Sequence, residues 1–141
     1  MGQADSITVT IGIPHRALSP NGRAHWRTKA KYRKAQREAS HMMAALSLDL
    51  TVYAGWPNPP KWPAATIAVQ WFGKTANVLR MDADNAIGSL KGAIDGLADA
   101  GLLADDRGVT WLPPVFAVDK ANPRVELVVT ESLKRKDGAG R

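Results

Sequence analysis

Asp82 and Asp84 stand one residue apart where apolar, strand-like sequence passes into helix-like sequence, and Asn85 follows at once. In extended backbone, residues two apart point the same way, so the two carboxylates lie side by side. Paired carboxylates repel and raise each other's pKa unless a cation sits between them. Magnesium and manganese suit such a pair, because a hard cation takes one or two carboxylates together with water and substrate phosphate. A plainer reading makes Asp84 or Asn85 a helix N-cap, but that leaves Asp82 without a task. A calcium loop of the EF-hand type fails on spacing. With Asp82 as position one, glycine falls at position seven and Ala93 stands where glutamate is needed. Asp105 and Asp106 form a second acidic pair just before strand-like sequence. They are either a solvated turn or the return of the chain to the first pair.

The surrounding charge suits a polyanion. Nineteen Lys and Arg against thirteen Asp and Glu give a net +6, unevenly spread. Pro14–Arg37 holds eight basic residues and no acid, whereas Asp82–Asp106 holds six aspartates and only Lys91 as a base. That acidic window carries −5 and leaves +11 on the rest. Arg23, Arg27, Lys31, Arg33, Lys34 and Arg37 are the candidate phosphate contacts. The absence of cysteine excludes disulfides, thiolate metal sites and a cysteine nucleophile. His15, His25 and His41 lie in the basic third with no nucleophile placed beside them, which gives a histidine hydrolase little support.

No membrane span is expected, since the longest uncharged stretch, Trp62–Gly73, is far below the roughly 20 residues required. No secretory leader is expected either. The start Met1-Gly2-Gln3-Ala4-Asp5-Ser6 fits the loose N-myristoylation pattern, which is read as coincidence.

The elements that must position these groups follow from periodicity. Residues 7–13 alternate as a half-buried strand, Pro14 ends it, and Ser19-Pro20-Asn21-Gly22 is a turn. A helix is expected from about Thr28 to Leu46. Its packing stripe would be Tyr32, Ala35, Ala39, Met42, Met43 and Leu46, with Arg33, Lys34, Arg37 and His41 facing solvent or phosphate. Residues 54–63 read as a loop and 65–72 as a strand. A second helix would run from Asp84 to Ala100, stopped by Gly101. Its stripe Ile87, Leu90, Ile94 and Leu97 faces the sheet, and Asp84, Lys91 and Asp95 share a neighbouring face. Gly88, Gly92 and Gly96 lie opposite, open either to DNA or a partner subunit, or to tight packing by the chain itself. Val109–Val118 is an edge strand or two pieces, because Pro113-Pro114 interrupts it, and 124–130 is the last strand. The sum is one α+β domain over 1–133, a mixed β-sheet packed with two main helices. The basic tail 134–141 is expected to be disordered.

Taken together, Asp82-x-Asp84-Asn85, Lys91, Asp95-Gly96-Leu97, Gly101 and Asp105-Asp106-x-x-Val109 resemble the core signature of the RusA family of bacterial and bacteriophage Holliday junction resolvases. Ile13-Pro14, Ser19-Pro20-Asn21 and Pro123-Arg124-Val125-Glu126-Leu127 are similar as well, so the likeness spans roughly 7–131. The resemblance implies a homodimer that cuts branched DNA at four-way junctions with Mg²⁺, in the cytoplasm of a bacterium or phage-infected cell. It places the required aspartates on Asp82, Asp84 and Asp106 and the assisting lysine on Lys91; Asn85 and Asp105 are candidate supporting groups, unless Asp105 is simply a turn residue. The lysine departs from the pattern, standing three residues later than usual. Either the helix starts later, with Ser89 as its cap, or Lys91 reaches the site from further away. The expected chemistry is metal-assisted phosphodiester hydrolysis, with Mn²⁺ a possible substitute. Its rivals are a branched-DNA binder without catalysis and a metal-dependent nuclease acting on other structured nucleic acids.

Overall fold

The computed structural model describes residues 6–49 and 59–132. The tail 134–141, the start Met1–Asp5 and residues 54–58 of the expected loop lie outside the described residues.

Strands form where the sequence alternates. β1 (Ser6–Ile11), β2 (Ala65–Gly73) and β5 (Arg124–Glu131) pair antiparallel in the order β1-β5-β2. Their register stacks apolar residues in rows: Ile7, Val129 and Ile67, then Val9, Leu127 and Val69, then Ile11, Val125 and Trp71. All nine are buried, while Thr8, Gln70 and Glu126 point to the other, wetter face. Pro113-Pro114 divides the expected edge strand into β3 (Val109–Trp111) and β4 (Val115–Val118). Both pieces lie parallel to β2, which makes the sheet mixed. A parallel neighbour needs a crossover, and the crossover from β2 to β3 carries the acidic segment.

That crossover is helical but broken. α2 (Ala83–Gly88) ends at Ser89, and α3 (Lys91–Asp99) starts after Leu90. The single helix expected from Asp84 to Ala100 is therefore two helices, and Leu90 rather than Ser89 occupies the N-cap. The break is stitched from α1 (Trp26–Asp49). The Gln36 amide donates to the Ser89 carbonyl at 2.8 Å, and its oxygen accepts the Ala93 N–H at 2.9 Å. The Ser89 carbonyl, left without its helical donor by the break, thus finds a partner, while the Ala93 N–H shares itself between Gln36 and the Leu90 carbonyl at 3.0 Å. The expected stripe holds in its main part, with Leu90, Ile94 and Leu97 buried against the core. α3 ends as expected at Gly101, whose φ of 84° supplies the left-handed turn. The bonds from Leu102 N–H to Leu97 and from Gly101 N–H to Ala98, both 3.0 Å, close a Schellman motif.

α1 departs from the periodicity reading. Its buried residues are Ser40, Ala44 and Leu48, while Met42 and Leu46 are exposed at 70% and 49%. The seam toward α3 is built from small residues instead. A Cβ added at Gly92 would lie 2.9 Å from the Arg33 carbonyl, and one at Gly96 would meet the Arg37 carbonyl and fall 2.7 Å from Ser40 Cβ. The Ser40 hydroxyl donates to the Ala93 carbonyl at 2.7 Å across this contact. Gly88 abuts Pro20 in the same way. The chain itself occupies the glycine face that the sequence left open to DNA or a partner.

The turn of the helix brings Arg33 and Arg37 onto α3, so that the face expected to meet solvent or phosphate also pairs with the neighbouring helix. Arg33 pairs with Asp95 at 3.2 Å, and Arg37 grips Asp99 at 2.6 and 2.8 Å. The hydrogen bonds from Arg37 hold the Asp99 carboxyl below the ordinary aspartate range. A depressed carboxylate contributes stability above its unfolded pKa, and that contribution disappears as pH falls through the folded value. Arg37→Gln should therefore melt below the natural protein at neutral pH. The gap should close as pH is lowered below about 4. Melting curves from neutral pH to about 2.5 check this; a gap that ignores pH would refute the pairing as its cause.

Candidate active site

Asp82 sits at the junction of a 3-10 turn (Ala76–Arg80) and α2, in extended conformation at φ −75° and ψ 128°. Its Oδ2 accepts the Asn85 N–H at 3.0 Å. The N-cap is therefore Asp82 itself, and neither Asp84 nor Asn85. A capping carboxylate at a helix N-terminus interacts favourably with the exposed N–H groups and the helix dipole. Asp84 follows in the first turn of α2, exposed to solvent.

Asp106 lies on the far side of the crossover, just before β3. It lines a hollow of about 190 Å³ together with Lys91, Arg33, Asp95, Ile94, Val109 and Trp111. The later start of α3 puts Lys91 at its first residue, and Lys91 and Asp106 line the same hollow without a salt bridge between them. Asp82 and Asp84 do not line this hollow. Asn85 borders a different cleft of about 400 Å³, walled by Trp71, Met81, Ile13 and His15. Among the described residues no three His, Asp or Glu side chains are gathered to hold a metal ion. Lys91 and Asp106 thus line one hollow while Asp82 and Asp84 lie outside it, and because only Asp82 is extended and Asp84 is already helical, the side-by-side pairing expected of an extended segment does not hold.

The ion pairs separate these aspartates from the rest. Asp95, Asp99, Asp105 and Asp119 each hold an arginine, within 3.2 Å at most. Asp105 is a turn residue: it accepts the Arg107 N–H at 2.7 Å and pairs with its guanidinium. Asp82, Asp84 and Asp106 form no salt bridge among the described residues, although the charge of Asp106 is felt by Arg107; Asp49, at the end of α1, is the only other described aspartate without one. In a chain of net charge +6 these three carboxylates stay available. Their hard oxygen donors suit magnesium, which needs only one or two carboxylates when phosphate and water complete its shell. In donor chemistry they fit it; as a finished cage of three they do not.

The basic residues are distributed along the outer side of α1 and the loop before it. Arg23, Arg27, Lys31 and Lys34 are exposed, whereas Arg33 and Arg37 are shared with Asp95 and Asp99. The family model for Endodeoxyribonuclease RusA matches residues 5–130. The chain belongs to the RusA family. Membership makes it a DNA-cutting nuclease, and the RusA signature read over 82–109 falls within the matched span. No curated protein is matched by the chain. Sequence reasoning passed over Lys29 and Trp26, which border a hollow beside Lys91. The signal available was a large aromatic embedded in a run of cations. Two of the three histidines take local structural roles: His15 and His25 accept backbone N–H groups at 3.0 and 3.1 Å, and His15 stacks on Tyr32.

Proposed function

We propose that this RusA-family protein is a magnesium-dependent resolvase of Holliday junctions, acting as a homodimer. The observation that carries the reading is the set of three exposed aspartates that form no salt bridge in a basic protein. Asp82 and Asp84 would supply the first carboxylates to the metal from the start of α2, and Asp106, which lines a separate hollow with Lys91, would supply the third. Bound magnesium supplies Lewis acidity toward the phosphate and lowers the pKa of the attacking water. Lys91 sets its ammonium against the phosphate and offsets the charge that builds on it in the transition state. Asn85 fixes Asp82 through the backbone bond of the cap. Arg23, Arg27, Lys31 and Lys34 take the arms by their phosphates, with Arg33 and Arg37 contributing from the α3 side. Two such sites related by a dyad match the near two-fold symmetry of a four-way junction.

An end-labelled synthetic junction, incubated beside a linear duplex of the same sequence with and without Mg²⁺, tests this. Paired, symmetric cuts confined to the junction and abolished by EDTA are expected. Tight binding without cutting under any divalent metal would reduce the protein to a binder, and equal cutting of the duplex would remove the junction preference.

A further inference from the structure

Trp26 opens α1 and is 67% exposed, unusual for the largest apolar side chain. It borders a hollow of about 310 Å³ whose charged lining is Lys29, Arg33 and Lys91, with no acid in it. The Arg27 guanidinium lies 5.2 Å from the indole centroid. Arg33 and Lys91 are shared with the neighbouring hollow that contains Asp106. The two hollows therefore lie side by side, the one beside α1 cationic and aromatic and the other carboxylate-bearing.

A flat aromatic ring beside a file of cations is the combination that holds single-stranded nucleic acid, with bases on the ring and phosphates on the charges. From this geometry we infer that Trp26 is a stacking platform for one unpaired deoxynucleotide of the DNA strand entering the site. Lys29 and Lys91 hold the flanking phosphates. The inference rests on the nuclease reading for its ligand. It adds a subsite for unstacked DNA that phosphate contacts alone would not create. A duplex keeps all but the outer faces of its terminal base pairs inside the helix and has little to offer the indole, so Trp26 favours unpaired over paired strands.

The test is fluorescence anisotropy in EDTA, with the full-length protein, a labelled oligo-dT strand and a blunt duplex of equal length. Trp26→Leu keeps apolar bulk without a π face, and Trp26→Phe keeps a face. Trp26→Leu should bind the single strand roughly 5- to 100-fold more weakly and the duplex within about two-fold, while Trp26→Phe recovers most of the loss. Lys29→Ala should weaken both ligands and flatten the salt dependence by about one ion. Equal behaviour of Trp26→Leu and Trp26→Phe, or equal losses on strand and duplex, overturns the platform. Metal-free binding is independent of cleavage. A Trp26-dependent strand preference in a protein that cuts no junction would leave this subsite standing and sink the resolvase reading.

Discussion

Asp82→Asn is expected to reduce junction cleavage by at least about 100-fold while DNA binding in EDTA and the melting temperature stay near those of the natural protein. The argument turns on the two tasks of one carboxyl group. As a cap, Asp82 offers an oxygen to the Asn85 N–H, and asparagine does this about as well as aspartate. As a metal ligand it must supply negative charge, which asparagine lacks. The substitution therefore removes the charge and keeps the local fold. Loss of a ligand that helps hold a catalytic cation removes several kcal/mol of transition-state stabilisation, and each 1.4 kcal/mol is about a factor of ten in rate. Asp84→Asn should behave similarly. Asp105→Asn should not, because Asp105 is bound to Arg107 within its own turn. Cleavage by Asp82→Asn at half the natural rate would end the assignment. A large drop in melting temperature would instead return Asp82 to a purely structural cap.

What the sequence made legible follows from the kind of signal each part carries. The sheet was readable because burial on one face imposes a period of two, and Ile7, Val9 and Ile11 display it against Val125, Leu127 and Val129. Pro113-Pro114 announced the division of the edge strand because proline cannot donate to a ladder. Gly101 announced the end of α3 for reasons of backbone geometry alone. α1 was misread because its packing face is Gln36, Ser40 and Ala44, residues that hydropathy scores as weak or polar. Close helix packing selects small side chains there, and the longer Met42 and Leu46 are left outside. The break between α2 and α3 depends on hydrogen bonds from Gln36, more than fifty positions away in sequence. No local window contains that information. The spacing of the aspartates was visible, but which of them form no salt bridge depends on tertiary contacts.

The same seam sets up the second large effect. Gly96→Val should destabilise the protein by about 3 kcal/mol, lowering the melting temperature by roughly 10 °C. Helix propensity alone predicts the opposite sign, since glycine is among the poorest helix formers. The contact decides otherwise. A Cβ at Gly96 meets the Arg37 carbonyl, Ser40 Cβ at 2.7 Å and the His41 nitrogen at 2.8 Å. Two of those three are main-chain atoms of α1, which cannot turn aside as a side chain can. α1 must shift away from α3, and the shift strains the Ser40–Ala93 and Gln36–Ala93 bonds that span the seam. It also moves Lys91 relative to Arg33 across their shared hollow, so cleavage should fall even below the melting transition. Gly12→Val is the control, because no heavy atom lies within 4 Å of a Cβ there. Thermal melts of both variants settle the matter. Equal stability of Gly96→Val and the natural protein would mean that the helices do not approach so closely in solution, and the small-residue seam would lose its role in placing Lys91 on the hollow that Asp106 lines.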